Sequence, residues 1–274
     1  MEFDAFRMDG LGNDFVIIDQ RKRSVSLTKD QIIKICDRNF LGCDQLIFIQ
    51  NSTISNASMQ FYNSDGSTSG ACGNGTRCIA NFISKETNNK TIILKTFSGL
   101  LKSEILGNKI VTTEIGKAKT EWSEIPLSEK LDTKNLNVKI LDKNNKEYIG
   151  GTAVNVGNPH IIFFVNKLSD FNIKKIGPEI ENHFIFPEKC NVTIAQVINK
   201  NLIKVKVWER GAGLTKACGT AACATAFAGK INNLTENKTD IEFSTGKLSI
   251  WIDAKNSIHM KGPVSDAEEI EIKL

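Results

Sequence analysis

Several features are missing from this 274-residue sequence, and each absence removes a class of function. No dense block of lysine or arginine appears, and the net charge is only +4. Nucleic acid is therefore not an expected partner. No apolar run approaches the length needed to cross a bilayer, and a stretch such as Ile161-Ile162-Phe163-Phe164-Val165 is far too short. The start, Met1-Glu2-Phe3-Asp4, lacks the basic segment and apolar core of a secretory signal. There are only three histidines, His160, His183 and His259, and no His-Glu-x-x-His or Cys-x-x-Cys spacing. No metal site is expected. No lysine or phosphate-cradling motif marks a place for an aldehyde cofactor. The cysteines number seven, at 36, 43, 72, 78, 190, 218 and 223. An odd count in a chain of this length argues against a disulfide framework and for a reducing cytoplasm.

What is present is a composition of 41% hydrophobic and 24% charged residues, the balance of a folded globular protein. The most informative stretch is Cys72-Gly73-Asn74-Gly75-Thr76-Arg77-Cys78. A short apolar run and a polar loop, Phe61 to Ser67, precede it, and Ile79-Ala80-Asn81-Phe82-Ile83 follows. The pattern predicts strand, loop and helix, with Cys72 at or just before the first helical turn. The first N–H groups of a helix lack intrahelical partners and carry partial positive charge. They would stabilise a thiolate or a substrate carboxylate. Gly73 and Gly75 would open that backbone to a ligand. A buried structural cysteine beside a turn is the alternative.

The stretch recurs. Ala217-Cys218-Gly219-Thr220-Ala221-Ala222-Cys223 repeats the Ala71-Cys72-Gly73 opening. Gly12-Asn13-Asp14-Phe15 has its counterpart in Gly157-Asn158-Pro159-His160, and Ser98-Gly99-Leu100 in Thr245-Gly246-Lys247. Asn63 and Glu209 stand equally far before Cys72 and Cys218. All these matches share nearly one offset, about 146 residues. A period that long implies two duplicated domains and not a solenoid. We set them at 1–117 and 118–263, with a final strand in 264–274 returning to the first.

Periodicity and turn chemistry place further elements. Phe3 to Asp19 reads as two strands about a Gly-, Asn- and Asp-rich loop, either a plain turn or one that carries Asn13 to a ligand. Thr28 to Phe40 reads as a helix capped by Thr28. Phe171 to Asn182 contains a helix that Gly177-Pro178 interrupts or restarts. The Ala-rich run from Ala221 to Ala228 is helical. Gln45 reads as a polar strand-start residue, unless its loop faces the same pocket. Arg210 suits a carboxylate through its two-pronged donors, or an exposed pair with Glu209. His160 enters an apolar strand, where it either packs or tunes a thiol.

If two duplicated domains present like elements to one cleft, Cys72 and Cys218 flank one carbon. A thiolate would take a proton from one face while a thiol gives one to the other. A free thiol, with a pKa of about 8.5, is only a few per cent ionised near neutrality. A helix terminus would supply roughly the 1.4 kcal/mol needed to lower one by a unit.

Gly10-Leu11-Gly12-Asn13-Asp14-Phe15, Cys72 to Cys78, Gly157-Asn158-Pro159-His160, and Arg210-Gly211-Ala212-Gly213 with Ala217-Cys218-Gly219-Thr220 together resemble the diaminopimelate epimerase family. The resemblance spans nearly the whole chain, in order. It implies an α+β fold of two pseudo-symmetric domains, each a mixed sheet wrapped around a central helix. It implies a cofactor-independent homodimer that interconverts L,L- and meso-2,6-diaminopimelate for lysine and peptidoglycan precursor synthesis. By the same resemblance, Cys72 and Cys218 are the acid/base residues. Gly73, Asn74, Gly219 and Thr220 hold the reacting carboxylate. Asn13, Gln45, Asn63, Asn158, Asn191, Glu209 and Arg210 line the substrate site, while His160 and Glu209 adjust the thiols. Ala221 and Leu214 depart from the residues common in the family, Gly and Glu. A racemase of proline or hydroxyproline, a non-catalytic amino-acid binder and a redox thiol pair are the competing readings.

Overall fold

The structure, a computed structural model, describes residues 1–70 and 72–274. Ala71, the first residue of the repeated Ala-Cys-Gly opening, lies outside the described residues. The chain forms two compact units, Met1–Glu114 with Lys261–Leu274, and Ile115–Met260. The sequence reading put both crossings a few residues later.

The first unit opens with β1 (Glu2–Gly10) and β2 (Asn13–Asp19), followed by α1 (Lys29–Cys36) and β3 (Gln45–Gln50). Next come β4 (Ala57–Asn63), the short β5 (Thr68–Ser69) and α2 (Gly73–Thr87). Strands β6 (Thr91–Thr96), β7 (Gly99–Gly107) and β8 (Ile110–Lys117) complete its continuous part. Pairing is antiparallel for β1–β2, parallel for β2–β3, antiparallel for β3–β4 and β4–β5, parallel for β4–β6 and antiparallel for β6–β7.

Alternation along β2 and β3 explains the layering. Phe15, Ile17, Ile47 and Ile49 point to one face, where they pack with Cys78, Ile79 and Ile83 of α2. Val16, Ile18, Leu46 and Phe48 point to the other and pack with Ile32 and Ile35 of α1. A strand buried on both faces reads as an unbroken apolar run, as Phe15-Val16-Ile17-Ile18 does. Helix α2 carries the fully buried Arg77 and packs against β1, β6 and β7, which makes it the unit's central helix.

The second unit adds β9 (Val138–Leu141), β10 (Glu147–Gly150), β11 (Thr152–Asn155) and β12 (Pro159–Phe164). They are followed by α3 (Ile173–Glu181), β13 (Asn191–Asn199), β14 (Leu202–Glu209) and β15 (Gly213–Thr215). Then come α4 (Gly219–Ile231), β16 (Lys238–Phe243), β17 (Gly246–Ile252) and β18 (Ser257–Pro263). The last strand, β19 (Glu268–Lys273), pairs antiparallel with β1 in the first unit, Phe3 opposite Ile272.

Six pairings of the second unit repeat the six of the first in order, while β9–β10 forms a separate two-stranded sheet. The six are antiparallel for β11–β12, parallel for β12–β13, antiparallel for β13–β14 and β14–β15, parallel for β14–β16 and antiparallel for β16–β17. Helix α4 takes the place of α2 and packs against β11, β12, β13, β16 and β17. Its Ala221, Ala222, Ala224, Ala226 and Ala228 are all buried, because a helix surrounded by sheet must be small and apolar all round. The fold is thus mixed α and β in two repeated domains.

Two helices differ from expectation. Helix α1 begins as predicted, with Thr28 and Gln31 forming a capping box, but it ends at Cys36 and not at Phe40. There Asp37 turns extended, and its carboxylate accepts the Asn39 N–H at 2.8 Å, a local turn that competes with further helix. Helix α3 is neither broken nor restarted at Gly177-Pro178 but runs through both. Pro178 removes one helical hydrogen bond. Gly177 admits the Trp208 ring, whose Cγ would lie 2.3 Å from any added Cβ.

Gly177→Ala should therefore destabilise the protein. Alanine gains about 1 kcal/mol in helix propensity, but the displaced indole should outweigh this, for a net loss of about 1–3 kcal/mol. A urea melt of the variant checks it; an unchanged or raised midpoint defeats the packing argument.

Candidate active site

In the first unit the hairpin turn Leu11-Gly12 joins β1 to β2, with φ of 62° and 86°. Two left-handed residues suit the twist of a two-residue hairpin. The turn is tied by the Gly12 N–H donating to Asp9 Oδ1 at 3.0 Å, and it delivers Asn13 to the head of β2. Gln45 opens β3 and lies opposite Asn63, the last residue of β4. The Gln45 Nε2 donates to Asn63 Oδ1 at 2.9 Å, and Asn63 Nδ2 donates to Ser67 Oγ at 3.0 Å.

Cys72 is the N-cap of α2, with φ −139° and ψ 112°. Its sulfur accepts the Gly75 N–H at 3.5 Å, and its carbonyl accepts both the N–H and the hydroxyl of Thr76 at 2.8 Å. Asn13 Oδ1 lies 3.8 Å from the Cys72 sulfur and accepts from Asn74 Nδ2 at 3.2 Å. Four expected residues, Asn13, Gly73, Asn74 and Cys72, thus gather at one helix end, with Gln45 and Asn63 paired on the adjoining strands. Gly75 serves a different purpose from the one expected. A Cβ there would meet Ile47 at 2.8 Å and Phe61 at 2.9 Å, so it lets the helix end press against the sheet.

A charged frame stands behind Asn13 that sequence patterns scarcely disclose. Arg38 bridges Asp14 and Asp44, each at 2.6 Å, and Asp44 Oδ2 accepts Asn13 Nδ2 at 2.8 Å. The position of Asp44 immediately before Gln45 was the one available signal.

The second unit repeats the layout with different chemistry. Cys218 caps α4 with φ −138° and ψ 117°, nearly the backbone of Cys72. Its thiol donates to Glu209 Oε2 at 3.0 Å, and its sulfur lies 3.4 Å from the Thr220 hydroxyl. Burial, the Glu209 charge and the hydrogen bond to that carboxylate push the Cys218 thiol far up. The Thr220 hydroxyl and the Ala221 N–H pull the other way and lose. The helix terminus therefore does not depress this thiol, and burial with Glu209 keeps its proton in place at neutral pH.

His160 Nε2 pairs with Asn158 Oδ1 at 2.8 Å. Burial, with the Arg210 charge acting in the same sense, pushes His160 down to about 3. It is uncharged near neutrality, so any influence it has runs through hydrogen bonds. Asn191 donates to the Pro159 carbonyl at 3.0 Å and accepts the Arg210 N–H at 3.0 Å. The Arg210 guanidinium donates to the Glu188 carbonyl at 2.7 Å. Asn191 is 2% exposed and fixes a turn by both ends of its amide. Of the two departures, Ala221 is buried in the first turn of α4 and Leu214 is exposed on β15.

Sequence comparisons identify the family. A family model described as diaminopimelate epimerase matches residues 5–121 and 152–266. The diaminopimelate epimerase of Pelagibacter ubique (strain HTCC1062) is 67% identical over 274 residues, covering all of both chains. The chain belongs to the diaminopimelate epimerase family. The diaminopimelate epimerase of Acidiphilium cryptum (strain JF-5) is 38% identical, over 97% of this chain and 95% of its own. Among solved structures, a hydroxyproline epimerase from Agrobacterium vitis superposes with a TM-score of 0.71 at 11% identity, over 99% of this chain and 91% of its own. That likeness is one of fold. In each unit a cysteine stands at the N-cap of the central helix.

Two outcomes follow. Glu209→Gln should lower the alkylation pKa of Cys218 by on the order of one unit, since it removes a facing charge. Iodoacetamide labelling across pH reads this, and an unmoved midpoint rejects the assignment. His160 carries a folded pKa of about 3 against an unfolded value of 6.5. Its contribution is present above pH 6.5 and lost as the pH falls toward 3, by up to about 1.4 kcal/mol per pH unit. His160→Phe, which installs the residue found at the equivalent position 15, should flatten that slope in denaturant melts between pH 7 and 4. An equal slope in both proteins contradicts it.

Proposed function

We propose that this chain interconverts L,L- and meso-2,6-diaminopimelate without a cofactor, with Cys72 and Cys218 as the acid/base pair. The observation that carries this reading is the duplicated one. Each unit holds a cysteine at the N-cap of its central helix in nearly the same backbone conformation. The family relationship supplies the substrate.

The protonation of Cys218 assigns the starting roles. A Cys72 thiolate takes the α-hydrogen as a proton, leaving the electron pair on the α-carbon beside the carboxylate. Cys218, already a thiol, delivers its proton to the opposite face, and the new C–H bond inverts the centre. One thiolate is consumed and one formed, so charge balances. The reverse reaction starts from the exchanged states. Glu209 keeps the donor loaded. Its carboxylate makes a thiolate at Cys218 unfavourable, which favours return of the proton after product leaves.

Helix N–H groups at Gly73, Asn74, Gly219 and Thr220 hold the reacting carboxylate and offset the charge that grows on it. Asn13, Gln45, Asn63, Asn158, Asn191 and Arg210 frame the remainder of the substrate. The polar character of this set supports a substrate with a second amino-acid head over proline-sized ones. By family relationship the enzyme is a cytoplasmic homodimer serving lysine biosynthesis, with sedimentation as the check on its oligomeric state.

Enzyme in deuterated water with L,L-diaminopimelate and no added cofactor should give meso product labelled at one α-carbon. Unlabelled product, a need for pyridoxal phosphate, or faster turnover of proline or hydroxyproline defeats the proposal. Cys72→Ala and Cys218→Ala should each reduce epimerisation by at least about a thousandfold, on the scale of losing a general acid or base. Near-normal turnover in either variant removes that cysteine from the mechanism.

A further inference from the structure

Glu181 is the last residue of α3, and its side chain is buried. Oε2 accepts the indole N–H of Trp208 at 2.7 Å, and Oε1 accepts the backbone N–H of Gly211 at 3.0 Å. Trp208 and Gly211 stand on either side of Glu209-Arg210. One carboxylate thus grips both ends of the turn that presents Glu209 to the Cys218 thiol. A buried carboxylate requires donors, and this turn supplies two. The grip is directional as well, because the Trp208 ring is wedged against Gly177 of the same helix, without room for a single added carbon. Trp208 cannot slide along α3, and its N–H points at a fixed place. Asn191 Oδ1 secures the Arg210 N–H between these two anchors.

We propose that Glu181 is a positioning residue that sets the Glu209 carboxylate against Cys218 and so holds the proton donor loaded. Its consequence for turnover rests on the acid/base reading of Cys218; its consequence for the thiol does not. The other charged or titratable groups around the turn are Arg210, Cys190 and the neutral His160. Arg210 is tied to the Glu188 carbonyl. Cys190 is held as a thiol by burial, with Glu181 acting in the same sense. Neither hydrogen bond to Glu181 involves them. A purely structural buried glutamate at a helix end would stabilise the fold while leaving the Cys218 thiol as it is, and this difference can be measured.

The test uses the full chain without substrate. Iodoacetamide modification of Cys218 is followed from pH 6 to 11 by mass spectrometry, with fragmentation separating it from Cys223. Glu181→Gln places an amide where two donors converge. It should move the Cys218 titration midpoint down by about one unit, a tenfold rise in thiolate fraction at a given pH. Trp208→Phe keeps an aromatic ring against Gly177 and deletes the N–H together with the outer part of the indole; it should shift the midpoint in the same direction by less. In a Glu209→Gln background, Glu181→Gln should add no further shift. With diaminopimelate, Glu181→Gln should lower kcat roughly tenfold or more and leave KM within about twofold.

A midpoint in Glu181→Gln equal to the parent's overturns the proposal, whatever happens to thermal stability. So does a shift that persists undiminished without Glu209. If Glu181→Gln does not fold, Trp208→Phe decides alone, and an unmoved midpoint there overturns it. Absence of epimerase activity in the parent would fail the functional reading while the thiol titration still decides this one.

Discussion

The structure depends on forcing the start of a helix against the inside of a twisted sheet. A helix end carries unpaired N–H groups, and burying them without partners is expensive. Each unit closes its sheet around one helix and sets a cysteine at its N-cap; in the first the Cys72 sulfur accepts the Gly75 N–H. The packing explains the composition of the first turn. Gly75 yields space to Ile47 and Phe61, and the alanines of α4 yield it on every side. The chemistry then follows from the cap, since a sulfur placed there sits beside backbone donors that favour negative charge.

Duplication gave two copies of this arrangement, and their environments have since diverged. Where the first unit sets Asn63 opposite Gln45, the second has Glu209 ending the equivalent strand beside the paired Asn191 position. Where the first has Phe15 in the sheet, the second has a buried neutral histidine. The same backbone therefore presents one sulfur to an amide and the other to a carboxylate. A reaction that needs one proton donor and one acceptor benefits from such inequality. The backbone supplies the symmetry and the strand-end side chains remove it.

Much of this was legible in the residues. The near-constant offset between like segments disclosed the two repeated domains, and the glycine-rich stretches after Cys72 and Cys218 disclosed the helix starts. These features are local, so they leave local marks. What escaped was mostly tertiary. The early end of α1 at Asp37 is a local turn, but the packing of Gly177 against a tryptophan from β14 joins separate elements. The protonation of Cys218 depends on burial, which no motif records. Arg38 and Glu181 support expected residues from separate elements, and nothing in their own neighbourhoods announces it; Asp44 alone had a signal, its place beside Gln45.

The pairing of β19 with β1 has a bearing on folding. The second unit is one continuous segment, 115–260, whereas the first joins two segments far apart along the chain. Until 261–274 docks, β1 keeps an unfilled edge, where Phe3 and Ala5 await Ile272 and Ile270. Closing the first unit therefore carries the entropy of a loop that spans the second, and shearing β19 away would expose a bare strand edge open to other chains.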